Sequence, residues 1–286
     1  MAGGATQKFK TPGPQQCHPS VGAMRPAYGC LPVSVLEAAA KKLNITTSNN
    51  NLRQALEKQV NVMPVNEYSF LMALPFSDSE KQTFAAKYLR PKRPEKWTAK
   101  PNMWLDSTNI TSVLNQYEEA YSKFEFMGPF PIDFAAPNPY KSASKKECLI
   151  TEICELRVTN AIKNGTEMIG IVYNLDPHFK SGSHWVANFI DLKRMNCFYF
   201  DSYGMKAPKQ IEAFMTWLAD QDIADGGKKM TLSYNAKRLQ YSNTECGMYC
   251  LYFIIRMLMG DEFVTFSRQK PRDNDMLQMR EWLYST

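Results

Sequence analysis

The chain has 286 residues, 44% of them hydrophobic and 22% charged, with 34 Lys and Arg against 28 Asp and Glu for a net charge of +6. That length buries a sizeable core in one large domain or two unequal ones, and no apolar run approaches the ~20 residues of a membrane span, so no membrane partner is expected. The mild positive excess permits an anionic partner without demanding one.

The first ten residues lack the apolar stretch of a secretory leader, and the seven cysteines (17, 30, 148, 154, 197, 246 and 250) are odd in number with no CxxC pair. An intracellular reducing compartment, reduced thiols and no metal site are therefore expected. Residues 1–32 are rich in Pro, Gly and polar side chains and suggest an extended or disordered arm. Apolar residues at helical spacing follow over 34–43, 52–60 and 79–89, which predicts a small helical N-terminal unit. The segment 90–100 holds five basic residues, one acid and two prolines, and Pro101 follows it directly. It reads as a solvated linker, with a DNA contact as the sharper alternative, and it places a boundary between an N-terminal arm over 1–98 and a second unit over 99–286.

In that second unit, Asp106 opens an amphipathic helix carrying Ile110, Val113, Leu114, Tyr117 and Tyr121. Residues 124–134 suit an edge strand and turn, and 146–163 a further helix. From 168 the apolar period becomes that of strands, over 169–173, 184–190 and 196–200. A helix over 208–220, a short strand over 230–234 and a helix over 246–259 complete the pattern.

Chemistry gathers in two places. The segment 184–201 reads as an antiparallel hairpin, which brings His184 at its start roughly opposite Asp201 at its end, so a carboxylate can hold an imidazole in one tautomer. Farther on, a polar loop beginning at Gln240 runs into a helix that is apolar almost all round and hence buried. Cys246 falls in its first turn, where unpaired N–H groups and the positive end of the helix dipole favour a thiolate, and a nearby His184 would activate it further. Gly247 leaves room for a substrate carbonyl to reach the Cys246 N–H, which with the Gln240 side chain can form an oxyanion hole. A free cysteine is ordinarily a small buried hydrophobe, and Cys250 is read so. His18 and His178 are read as surface residues, and Cys17 beside His18 lacks further ligands for a metal.

These residues resemble the cysteine peptidases that include the SUMO and ubiquitin-like-protein-specific proteases and the adenovirus protease. The resemblance rests on His184-Trp185, Asp201-Ser202 and Gln240 ahead of Cys246-Gly247, and covers about 101–286. It implies an α+β, papain-like (circularly permuted) cysteine protease fold, with a central mixed sheet flanked by helices and a small helical N-terminal domain besides. It also implies His184 as general base, Asp201 as its orienting acid, Gln240 in the oxyanion hole and Cys246 as nucleophile. Trp104-Leu105-Asp106 is similar to the segment that opens such catalytic domains, which implies Trp104 and Trp185 as substrate-binding residues enclosing a Gly-Gly backbone. Two flat indoles can do so only where no Cβ intrudes.

Within the family the phrasing is most like the maturation proteases of large DNA viruses, of the African swine fever virus type. The expected partner is then a protein substrate with a Gly-Gly-type cleavage site, processed as a capsid or core precursor in host cytoplasm or virion. No cofactor is required; nucleic acid bound at 90–100 is admitted as an activator. The closest alternative is a deconjugating protease for a SUMO or ubiquitin-like modifier. An acetyltransferase would not need the paired tryptophans, and a non-catalytic binding module would not need an intact triad.

Overall fold

A computed structural model describes residues 10–21, 29–64, 66–141, 147–221, 229–269 and 271–286. These residues form two compact units, one of Lys10–Met103 with Leu277–Thr286 and the other beginning at Trp104 and ending at Met276.

The helical unit contains α1 (Val33–Lys42), α2 (Asn49–Val60), α3 (Glu67–Ala73), α4 (Asp78–Tyr88) and α5 (Lys96–Ala99). Ser77 and Glu80 cap the start of α4 reciprocally, the Ser-x-x-Glu device that satisfies two orphan amides. Leu36, Ala39, Leu56, Phe70, Leu71 and Leu89 make its core. Glu67, Arg53 and Glu57 form a buried ion-paired chain beneath them.

Several expectations change here. Residues 1–9 and 22–28 of the expected disordered arm lie outside the described residues, but Cys17 and His18 are buried and Cys17 bridges to Leu89. His18 is therefore not a surface residue; its Nδ1 meets Ser20 Oγ at 2.7 Å. The segment 90–100 is no linker, because Arg90 and Trp97 are 2% and 1% exposed and Arg93 pairs with Glu281. The last residues close this unit. The Trp97 and Tyr284 rings meet edge to face at 4.7 Å, the Arg280 guanidinium stands 4.3 Å over Trp97, and Ser285 Oγ donates to Arg90 O at 2.8 Å. Where the sequence suggested a division into 1–98 and 99–286, the units divide at Met103/Trp104, and residues 277–286 belong with the helices.

The second unit is built on a five-stranded mixed sheet: β1 (Phe124–Pro131), β2 (Met168–Asn174), β3 (Trp185–Asp191), β4 (Asn196–Phe200) and β5 (Thr231–Tyr234), in that spatial order. The outer pairs, β1/β2 and β4/β5, are parallel and the inner ones antiparallel. Helices α6 (Ser107–Ala120) and α10 (Cys246–Leu258) contact the sheet, and every residue of α10 is buried, as its continuous apolar sequence requires. Helix α9 (Lys209–Ala219) buries Ile211, Phe214, Met215 and Leu218 in a core with Ile171, Tyr173, Val186 and Tyr199. The single helix expected over 146–163 is two short ones, α7 (Thr151–Cys154) and α8 (Val158–Lys163), and residue 146 lies outside the described residues. Helices α11 (Phe263–Arg268) and α12 (Asp273–Leu283) follow α10.

The expectation of wholly reduced thiols is also corrected: disulfides join Cys17 to Cys30 and Cys148 to Cys154, leaving Cys197, Cys246 and Cys250 free. Folding brings each pair within disulfide reach, at Cα separations of 5.1 and 6.5 Å, a proximity that spacing alone does not reveal.

Candidate active site

The β3/β4 ladder pairs Ala187 with Phe200 and Asp191 with Asn196, so His184 and Asp201 lie just beyond its open end. His184 Nε2 and Asp201 Oδ1 are 2.8 Å apart, and both side chains are nearly buried. The Cys246 side chain also interacts with His184, and with Nε2 on Asp201 the ring nitrogen left for the sulfur is Nδ1. Burial draws the imidazolium down, but the Asp201 and Cys246 interactions outweigh it and raise its pKa from 6.5 to about 9. Cys246 is the first residue of α10 and is 2% exposed. Its backbone N–H belongs to the first turn, where no intrahelical acceptor exists.

Asp201 is held from its backbone as well as its side chain. Its N–H donates to Asn235 Oδ1 at 2.8 Å, and Asn235 Nδ2 donates back to Asp201 O at 2.7 Å. Gln240 is fully buried beside it: Ser202 Oγ donates to Gln240 Oε1 at 2.6 Å and Gln240 Nε2 donates to Ser242 O at 2.9 Å. Asp273 Oδ2 accepts from the Tyr241 and Ser242 amides at 3.0 and 2.7 Å, pinning the loop that leads to Cys246. The sequence reading missed Asn235 and Asp273, whose partners are 34 and 31 residues distant. Ser202 could have been found from its place beside Asp201.

Trp185 Nε1 donates to Leu105 O at 2.9 Å, which ties the strand carrying His184 to the segment before α6. A Cβ on Gly247 would meet Leu105 Cβ at 3.0 Å and Trp185 Cδ1 at 3.3 Å, so this glycine is demanded by packing under Trp185 and not by substrate access alone. Trp104, 43% exposed, and Trp185 both border a cleft of about 630 Å³ whose other walls include Phe130, Pro131, Tyr140 and Ile150. His178, read from the sequence as a surface residue, also lines this cleft and its Nδ1 meets Asp133 Oδ2 at 2.7 Å. Cys250 and Cys197 are fully buried, and burial raises both thiols, Cys197 to about 12. Neither can supply a thiolate at neutral pH.

An imidazole bonded to a carboxylate and interacting with a helix-terminal cysteine is an arrangement capable of acyl transfer. Comparison with known proteins points the same way. Residues 167–285, which contain all four polar side chains, match the Ulp1 protease family, C-terminal catalytic domain. The putative thiol protease R355 of Acanthamoeba polyphaga mimivirus is 32% identical over 168 residues, 58% of this chain. The chain spans about half of that relative's length, 51%. The SUMO-1 cysteine protease of African swine fever virus (isolate Warthog/Namibia/Wart80/1980) is 30% identical over 186 residues, 63% of this chain and 67% of the relative. The crystal structure of an African swine fever virus protease superposes with a TM-score of 0.65 over 96% of this chain and 97% of that one, at 19% identity, and so has the same α+β fold. With this agreement in sequence and fold, the chain belongs to the Ulp1 protease family of cysteine proteases.

Proposed function

We propose that the chain is a cysteine endopeptidase that cleaves after Gly-Gly or similar small-residue sites and processes capsid or core precursors during virion maturation. The observation that carries this reading is the 2.8 Å bond between His184 Nε2 and Asp201 Oδ1, joined by the interaction of His184 with the Cys246 side chain. In this mechanism the Cys246 thiolate attacks the scissile carbonyl carbon, and the oxyanion is met by the Cys246 N–H and a Gln240 Nε2 hydrogen. His184, charged and held by Asp201, gives its proton to the leaving amine. It then takes one from the water that attacks the thioester, and the departing Cys246 thiolate restores the starting pair. Trp104 and Trp185 border one cleft, and a pair of flat indoles suits a backbone without side chains.

The test is incubation of the chain and its C246A variant with precursor proteins carrying Gly-Gly-Xaa sites, followed by sequencing of new N-termini. Cleavage by the parent and none by the variant supports the reading; equal cleavage sinks it. A second reading, a deconjugating protease, is favoured by the name of the African swine fever virus relative, a SUMO-1 cysteine protease. Rapid cleavage of a SUMO fusion, with none of a short Gly-Gly-Xaa peptide, would prefer it. Activation by nucleic acid at 90–100 would fall mainly on the exposed Lys96 and Lys100, since Arg90 is buried and Lys92 and Arg93 are ion-paired. Added DNA at low salt should then raise turnover in the parent and not in K96A/K100A.

A further inference from the structure

Tyr203 lies in the turn that Gly204 N closes by donating to Asp201 O at 2.7 Å. Its ring is stacked on the His184 imidazole, with centroids 4.7 Å apart and planes inclined by 14°. Its backbone N–H donates to Asp201 Oδ1 at 2.9 Å, the same oxygen that holds His184 Nε2. Its hydroxyl donates to Ser242 O at 3.3 Å, the carbonyl that also receives Gln240 Nε2. Arg238 stands over the Tyr203 ring at 5.1 Å, while its Nε donates to Gln240 O at 2.7 Å.

We propose that Tyr203 is a positioning residue of this site, whose ring fixes the plane of the His184 imidazole while its hydroxyl secures the Gln240 loop. The inference rests on the reading of His184, Asp201 and Cys246 as the peptidase site. The hydrogen bond at Nε2 restrains one point of the imidazole, and neither it nor the Cys246 interaction fixes the plane of the ring against tilt. An aromatic face stacked on it removes the tilt, so Nδ1 stays directed at Cys246. Because the same residue ties down Ser242 O, the base and the oxyanion donor are adjusted together. Tilting one without the other would put a reacting atom out of line, and a displacement of about 1 Å costs on the order of 10²-fold in rate.

The experiment compares Y203F, Y203L and Y203A with the parent on one Gly-Gly-Xaa peptide, measuring kcat, KM and the pH dependence of kcat/KM. In Y203A and Y203L, kcat should fall on the order of 10²-fold, with KM changed much less. Y203F keeps the ring and loses one hydroxyl bond, so it should stay within about tenfold of the parent. The groups facing His184 are Asp201, Cys246 and Tyr203, with Arg238 beyond the tyrosine ring. A tilted imidazole loses the Asp201 and Cys246 bonds that sustain its charge, so the alkaline limb of Y203A and Y203L should move to lower pH. Parental kcat and an unmoved limb in Y203L would overturn the proposal, as would Y203F being as impaired as Y203A. If Y203A does not fold, Y203L and Y203F decide between these outcomes. An active C246A would instead overturn the site reading itself.

Discussion

Ser202 Oγ donates to Gln240 Oε1 at 2.6 Å, and both residues are fully buried, so the Gln240 amide cannot turn over without stranding its oxygen. Nε2 is thereby fixed with one hydrogen on Ser242 O and a second to spare. On its proposed role as an oxyanion donor, Q240A should lower kcat by about 10²–10³-fold, the usual effect of losing one such donor. S202A keeps the donor but strands Oε1, at a cost of about 1–3 kcal/mol in stability. Its kcat should fall less than that of Q240A, and the double variant should be no slower than Q240A alone, a cycle read from kcat.

The charge on His184 makes its own prediction. Its folded-state pKa, about 9, lies above the ordinary 6.5, so the stabilisation it contributes is complete below pH 6.5 and is lost as pH rises through about 9. The melting temperature of the parent should decline across that interval more steeply than that of H184Q. The alkaline limb of kcat/KM should likewise fall near pH 9 in the parent and at lower pH in D201N, whose kcat should drop about 10²–10⁴-fold. A limb unmoved in D201N would show that Asp201 is not what sustains the charge.

Gly204 adopts φ +74°, and a Cβ there would lie 2.5 Å from Lys237 C and 2.7 Å from Arg238 N. The left-handed conformation alone costs an alanine about 1–2 kcal/mol, and the clash is with backbone, which cannot swing aside. G204A should therefore displace the segment that carries Arg238 toward Gln240. Melting should show a destabilisation of about 2 kcal/mol or more, and kcat should fall even where the variant stays folded.

Much of this site was legible because it rests on short-range patterns. Short apolar runs bounded by polar turns marked β2, β3 and β4, and the apolar sequence around Cys246 marked a buried helix. The hairpin was also legible, but its register was not. With Ala187 opposite Phe200, the position in line with 184 is 203, so Tyr203 stacks on His184 while Asp201 reaches it from the side. Nothing in residues 191–196 announces that offset, since turn geometry fixes register and a shift of this kind leaves the alternation unchanged. The disulfides, Asn235 and Asp273 escaped notice for a related reason: each contact joins residues that only the folded chain brings together. The prolines and charges of 90–100 misled because they suggested a linker where Trp97 is an anchor.

Trp97 should therefore behave as a core residue. With Tyr284 against its ring and Arg280 above it, W97A should cost about 3–5 kcal/mol, seen as an earlier melting transition. Surface behaviour, within about 0.5 kcal/mol of the parent, would contradict the packing.

The helical unit draws on residues 10–103 and again on 277–286. The sheet unit draws on nothing beyond residue 276 among its described residues. The helices cannot close around Trp97 without Arg280 and Tyr284, which come from the far end of the sequence. A chain cut after residue 276 would keep every described residue of the sheet unit and lose the ring and the guanidinium that cover Trp97.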